Sequence, residues 1–192
     1  SVQPRLAERW EISADGLTYT FTLRAGATWS NGEPVRARDF EYAILRNLDP
    51  ATAADYASLL FPIKNAENFN TKKTNDRTSV GVLARDDRTL TITLERPTGH
   101  FMRVLSSWMA LPQPRTTIEQ YGAEWTEPGN IATNGPFRLE SWKPGEELVL
   151  VRNNEYWGEK PVVERVVYRL MPPVDRAAAV AIEQFERGEV DL

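Results

Sequence analysis

Thr18–Leu23 reads Thr-Tyr-Thr-Phe-Thr-Leu, a strict alternation that sets Tyr19, Phe21 and Leu23 on one face of a strand and three threonines on the other. β-Branched and aromatic side chains suit a pleated surface, and a slip of one residue would turn every apolar group to water. A chain carrying this run must build a sheet with one buried face. Thr89–Leu94 repeats the pattern with Leu90, Ile92 and Leu94 in line, and with Ser79–Ala84 it predicts a hairpin closed by Arg85-Asp86-Asp87-Arg88.

Helical spacing alternates with these runs. Phe40, Ile44 and Leu48 recur at i, i+4, i+8 and predict a helix over Ala37 to Asn47, with Asp39 in its first turn, Arg46 in its last and Asp49-Pro50 beyond it. A second short helix is expected within Ala51 to Leu60, carrying Tyr56, Leu59 and Leu60. A third follows Thr98 as its cap and carries Phe101, Val104, Leu105 and Trp108. The polar stretch 65–79 reads as an exposed excursion, and the loop at 24–35 is expected to pack Trp29 inward.

Leu111-Pro112-Gln113-Pro114 is a stiff crossing and the best candidate for a domain boundary. Beyond it the pattern predicts a helix from Arg115 to Tyr121 closed by Gly122, and then the turn Asn134-Gly135-Pro136. Next come a hairpin of Phe137–Trp142 with Leu148–Val151, and a strand over Val162–Leu170. Asp175 is expected to cap a last helix aligning Ala178, Ile182 and Phe185, with Gly188 after its end. Glu189–Leu192 reads as the start of a strand, suggesting a parallel sheet whose partners lie in a longer protein.

Composition narrows the function. A net charge of −4 argues against a nucleic-acid surface, which needs a basic stripe. No run of 18 apolar residues exists, which excludes a helical membrane span. With no cysteine and one histidine, His100, neither a Cys-based zinc site nor a His cluster can form, and no cofactor is expected. The chain has no phosphate-binding glycine loop and no nucleophile elbow. The acidic pairs Asp86/Asp87 and Glu146/Glu147 fall in hairpin turns, where solvated charges are the ordinary occupants, so a hydrolase is the least favoured reading. What remains is a set of aromatics in turns and loops, namely Trp29, Tyr56, Trp108, Trp125, Trp142, Tyr156 and Trp157. Such rings serve equally as core or as the wall of a ligand cleft.

Several stretches together resemble the extracellular solute-binding proteins of ABC transporters, family 5, of the oligopeptide- and dipeptide-binding type. They are PRLAERWEIS, YTFTLRAGATWSNGEPVRARDFEYAILRNLDP, DPATAADYASLL, DDRTLTITLERP, GNIATNGPFRLESWKPGEELVLVRNNEYW and FERGEVDL, in the family's order from Pro4 to Leu192. The resemblance implies a mixed α/β (α+β) fold, partial and like a type II periplasmic binding protein. Residues 1–114 would form an extra α+β domain and 115–192 part of the first ligand-binding lobe, in a chain truncated at both ends. It implies capture of oligopeptides for import by a periplasmic or extracellular monomer, lipid-anchored in some members. The expected partners are a peptide or other small solute and a membrane permease, with no nucleic acid. The alternatives are a solute-sensing domain of a transcription regulator and a binder of a nickel complex or sugar.

The same resemblance assigns candidate contacts. Tyr56, in the DYAS stretch, stands where the oligopeptide binders place a tyrosine beside the bound peptide. Ser107 stands where a histidine approaches the ligand, a departure from the family pattern, with Trp108 next to it filling the space. Arg36 replaces a threonine suited to capping the following helix, which predicts a weaker helix start.

Overall fold

The alternating runs fold as a four-stranded antiparallel sheet in the computed structural model, which describes residues 2–170 and 177–191. Its strands are β1 (Ala7–Ile12), β2 (Thr18–Leu23), β3 (Val82–Ala84) and β4 (Thr89–Thr93), in the order β1-β2-β4-β3. Register follows the side-chain pattern: Tyr19 faces Ile92 and Phe21 faces Leu90, while Thr18, Thr20 and Thr22 face Thr93, Thr91 and Thr89. The apolar rungs lie in the core and the threonine rungs form the opposite face, so a single alternation sets both surfaces.

Helix α1 (Ala37–Leu48) packs on this sheet, with Ile44 and Leu48 essentially fully buried and Phe40 half-buried. Each such buried aliphatic side chain stabilises the fold by about 1.5–3 kcal/mol. As the residue type predicts, Arg36 makes no side-chain cap hydrogen bond at the start of α1, and another group stands in for it. Asp39 reaches back so that its Oδ2 accepts the Arg36 backbone N–H at 2.8 Å, while the Arg36 guanidinium pairs with Asp87 at 3.2 Å. One orphan amide of the helix start is thus satisfied from inside the helix.

Ala51–Leu60 is not a helix of that length: Asp49 and Ala53 make turns, Ala53 at φ 50°, and only Ala57–Leu60 closes as a 3₁₀ turn. The polar stretch after it contains α2 (Ala66–Asn70), which buries Ala66 and Phe69 in the same core. Thr98 does not cap α3 (Phe101–Leu105) with its side chain; its hydroxyl turns to the Arg96 carbonyl. Phe101 is fully buried, edge-on to Tyr19 at 5.3 Å. A 3₁₀ turn, Trp108–Ala110, follows.

The two-proline crossing runs along α1 and is tied to it: Arg46 donates to Gln113 Oε1 at 3.2 Å, Gln113 Nε2 to Asn47 Oδ1 at 3.3 Å, and Asn47 Nδ2 to the Met109 carbonyl at 2.9 Å. Helix α4 (Arg115–Tyr121) ends at Gly122, whose φ is 55°. A second antiparallel sheet follows, built from β5 (Phe137–Lys143), β6 (Glu147–Arg152) and β7 (Arg165–Arg169) in that order, shorter at β7 than Val162–Leu170. The β5–β6 turn uses Gly145 at φ 77°.

The loop at 24–36 joins the two sheets. Trp29 is buried with Ala27, Val35 and Ala132 in a small second core that includes Trp157 at its margin. The Ser30 backbone N–H donates to the Thr133 carbonyl at 2.7 Å, and the Thr133 N–H donates to Ser30 Oγ at 3.1 Å. Trp157 Nε1 donates to the Asn134 carbonyl at 3.1 Å, and Arg24 lies over its ring.

Helix α5 (Ala177–Glu186) aligns Ile182 and Phe185 as expected, but both are exposed. Gly188 at φ 69° turns the chain out of it. The expected cap, Asp175, lies outside the described residues. Glu189–Asp191 forms no strand, and among the described residues both sheets are wholly antiparallel.

Candidate functional site

Tyr56 sits at the entry of the 3₁₀ turn Ala57–Leu60, and Trp108 opens the 3₁₀ turn Trp108–Ala110. Both turns are anchored from beneath, the first by Ala57 and Leu60 and the second by Met109 and Ala110, all buried. With these four side chains turned inward, the two aromatics face outward, Tyr56 55% exposed and Trp108 65% exposed. They meet edge to face with ring centroids 5.7 Å apart at 88°, the geometry that the ring quadrupoles favour. Two of the three residues singled out in the sequence are therefore brought together, from segments far apart in the chain.

Ser107 lies beside them but its hydroxyl is engaged, donating to the Val104 carbonyl at 2.6 Å. It closes the end of α3, and its own carbonyl accepts the Ala110 N–H.

The remaining aromatics sort by environment. Trp29 is core, its Nε1 donating to Asp39 Oδ2 at 3.3 Å. Trp125 lies beneath Arg46, and Tyr156 and Trp157 pack together at the joint between the sheets. Trp142 is part-exposed on β5. The acidic pairs have structural roles: Asp86 Oδ1 accepts the backbone N–H groups of Arg88 and Thr89, both at 2.8 Å, which holds its carboxyl below the usual range. Glu147 pairs with Lys143 at 2.8 Å and is likewise lowered.

Asn153 belongs to the framework and escaped the sequence reading. Although 3% exposed, its amide donates to the Gly135 carbonyl at 3.1 Å, its Oδ1 accepts the Glu155 N–H at 3.1 Å, and its backbone N–H donates to the Pro136 carbonyl at 2.8 Å. It fixes the Asn134-Gly135-Pro136 turn against the end of β6. An asparagine after a strand is too common for spacing to have marked it.

Among the described residues no group of three or more His, Asp or Glu is placed to hold a metal ion, and no helix is long and apolar enough to cross a membrane. What the arrangement offers is an exposed aromatic ledge over buried side chains.

Known proteins share this architecture. The model of the bacterial extracellular solute-binding proteins, family 5 Middle, matches residues 1–192. The periplasmic oligopeptide-binding protein OppA of Salmonella typhimurium is 38% identical over 98% of this chain and 34% of its own length. The probable deoxycholate-binding periplasmic protein YgiS of Escherichia coli is 38% identical over 100% of this chain and 35% of its own. The crystal structure of Haemophilus influenzae OppA in complex with RPPGFSPFR superposes with a TM-score of 0.90 at 33% identity, covering 98% of this chain and 36% of that one. The chain thus spans about a third of the length of the relatives it matches. Its sheet-and-helix fold is part of theirs, and on the match over its whole length the chain belongs to the bacterial extracellular solute-binding proteins, family 5.

Proposed function

We propose that this chain is part of the substrate-binding component of an ABC transporter, capturing oligopeptides for import. The observation that carries the reading is the outward-facing Tyr56–Trp108 pair, on a fold shared with a relative whose structure holds RPPGFSPFR. Residues 1–114 act as the extra α+β domain and 115–192 as part of the first ligand-binding lobe. The apolar groups left open on the second unit, among them Tyr168, Ile182 and Phe185, support its seating in a larger lobe.

The work is binding rather than catalysis. An extended peptide pairs its backbone with the lobes in β-like fashion, hydrated pockets accept varied side chains, and closure of the lobes presents the complex to a membrane permease. Tyr56 and Trp108 supply apolar contact to the peptide, and Ser107 shapes the ledge without a free hydroxyl. The protein works outside the cytoplasmic membrane, in the periplasm or held at the surface by a lipid anchor. A second reading, a non-peptide amphiphile as solute, is favoured by the equal identity to the relative named for deoxycholate.

The test is mass spectrometry of ligand carried through native purification of a protein containing both lobes, followed by calorimetry. Micromolar or tighter binding of peptides is expected (about −8 kcal/mol). Recovery of a bile acid with no peptide binding overturns the peptide reading.

A further inference from the structure

The face of α1 turned away from Phe40 and Ile44 borders a groove of about 600 Å³, walled by β3, the segment before it and α4. Arg38, Lys64, Arg77 and Arg85 line it, and none of the four is in an ion pair among the described residues. Two carboxylates also line it, and both are engaged. Glu119 holds Arg115 at 2.7 Å. Glu41 is half-buried at the floor and hydrogen-bonded by the Ala84 backbone, which covers an outward amide of edge strand β3. Burial pushes the Glu41 carboxyl up, with Arg77 and Arg115 acting against that shift.

The result is a concave concentration of positive charge on a chain whose net charge is −4. Guanidinium groups match oxyanions geometrically. The groove has room for about twenty water-sized groups, several phosphates rather than one. A carboxylate brings a single charge, whereas linked phosphates bring several within that span. We propose that this groove binds a phosphate-bearing polyanion, with Arg38, Lys64, Arg77 and Arg85 as its contacts.

The experiment is calorimetry of the 192-residue chain with inorganic tripolyphosphate at low and physiological ionic strength, beside cosedimentation with phosphatidylglycerol vesicles. The four cations are exposed, although Arg85 Nε also donates to Thr91 Oγ1 at 3.4 Å, so the melting temperature of each variant is measured to separate loss of fold from loss of binding. Arg77→Gln with Arg85→Gln is expected to weaken binding about tenfold or more, and added salt weakens it further. Arg138→Gln with Arg169→Gln, equal in charge but on the other sheet, leaves it unchanged. Binding of tripolyphosphate alone identifies a soluble source, and vesicle binding sensitive to the groove variants identifies a headgroup; either supports the site. No binding of either probe, equal loss in both double variants, or equally tight binding of polyglutamate overturns it.

Discussion

Trp29 and Asp39 are joined in the interior, the indole N–H donating to a carboxylate oxygen at 3.3 Å that also accepts the Arg36 backbone N–H at 2.8 Å. One carboxylate therefore fixes both the inter-sheet loop and the start of α1. Asp39→Ala leaves a buried indole N–H and a part-buried backbone N–H unpaired, and urea unfolding is expected to show a loss of about 2–4 kcal/mol. A change within 0.5 kcal/mol, roughly that of a neutral surface substitution, contradicts this role.

The same residue predicts a pH dependence. Burial holds the Asp39 carboxyl above its ordinary 3.8, against the hydrogen bonds from Arg36 and Trp29. A raised folded-state pKa means that the fold binds the proton more tightly than the unfolded chain does. The contribution is full below 3.8 and declines as pH rises through the folded value. Stability of the wild type relative to Asp39→Asn should fall across that window; a flat difference refutes it.

Gly81 sits where no side chain fits. A Cβ there would lie 2.4 Å from the Thr93 carbonyl oxygen and 2.8 Å from the Lys64 Cβ. Gly81→Ala must push β4 and the 64–81 crossing apart, with an expected cost of about 1–3 kcal/mol in thermal or chemical melts.

Asn153 pins the turn at Gly135 and Pro136. Asn153→Asp keeps the acceptor for the Glu155 N–H but sets a carboxylate against the Gly135 carbonyl. A loss of about 2 kcal/mol or more is expected at neutral pH, with partial recovery on acidification as the carboxyl regains a proton to donate.

Tyr56→Ala and Trp108→Ala, in a protein containing both lobes, are each expected to weaken peptide binding about tenfold while stability falls by only about 0.5–1.5 kcal/mol, the scale of the lost edge-to-face contact. The 192 residues alone should bind peptide weakly or undetectably in calorimetry. Micromolar affinity of the isolated chain would contradict the proposed division of the peptide site between two lobes.

Much of the fold was legible because strict alternation leaves no second solution. β2 and β4 follow from Tyr19, Phe21, Leu90 and Ile92 alone. β1 was not evident: Ala7–Ile12 buries only part of Ala7 and Trp10 and shifts register between Ala7 and Arg9. α2 was hidden because two apolar residues, Ala66 and Phe69, cannot establish a period, and its entry residue Asn65 is left-handed. The predicted helix across Ala51–Leu60 gave way where Ala53 took a positive φ. At the candidate site, resemblance supplied Tyr56, Ser107 and Trp108, but their meeting depends on tertiary packing. Sequence spacing could not reveal that Asp39 replaces a side-chain cap at Arg36.

The Ser30–Thr133 clasp spans 103 residues of chain, so closing it from the unfolded state carries an entropy cost of about 4 kcal/mol before any contact is made. The first sheet must close a long span of its own, Thr18 pairing with Thr93 75 residues away, and once it has done so the loop left to be closed between Ser30 and Thr133 is much shorter. Docking of the second sheet onto the 24–36 loop is accordingly a late event in folding. That same joint is where slow opening of the native protein should begin.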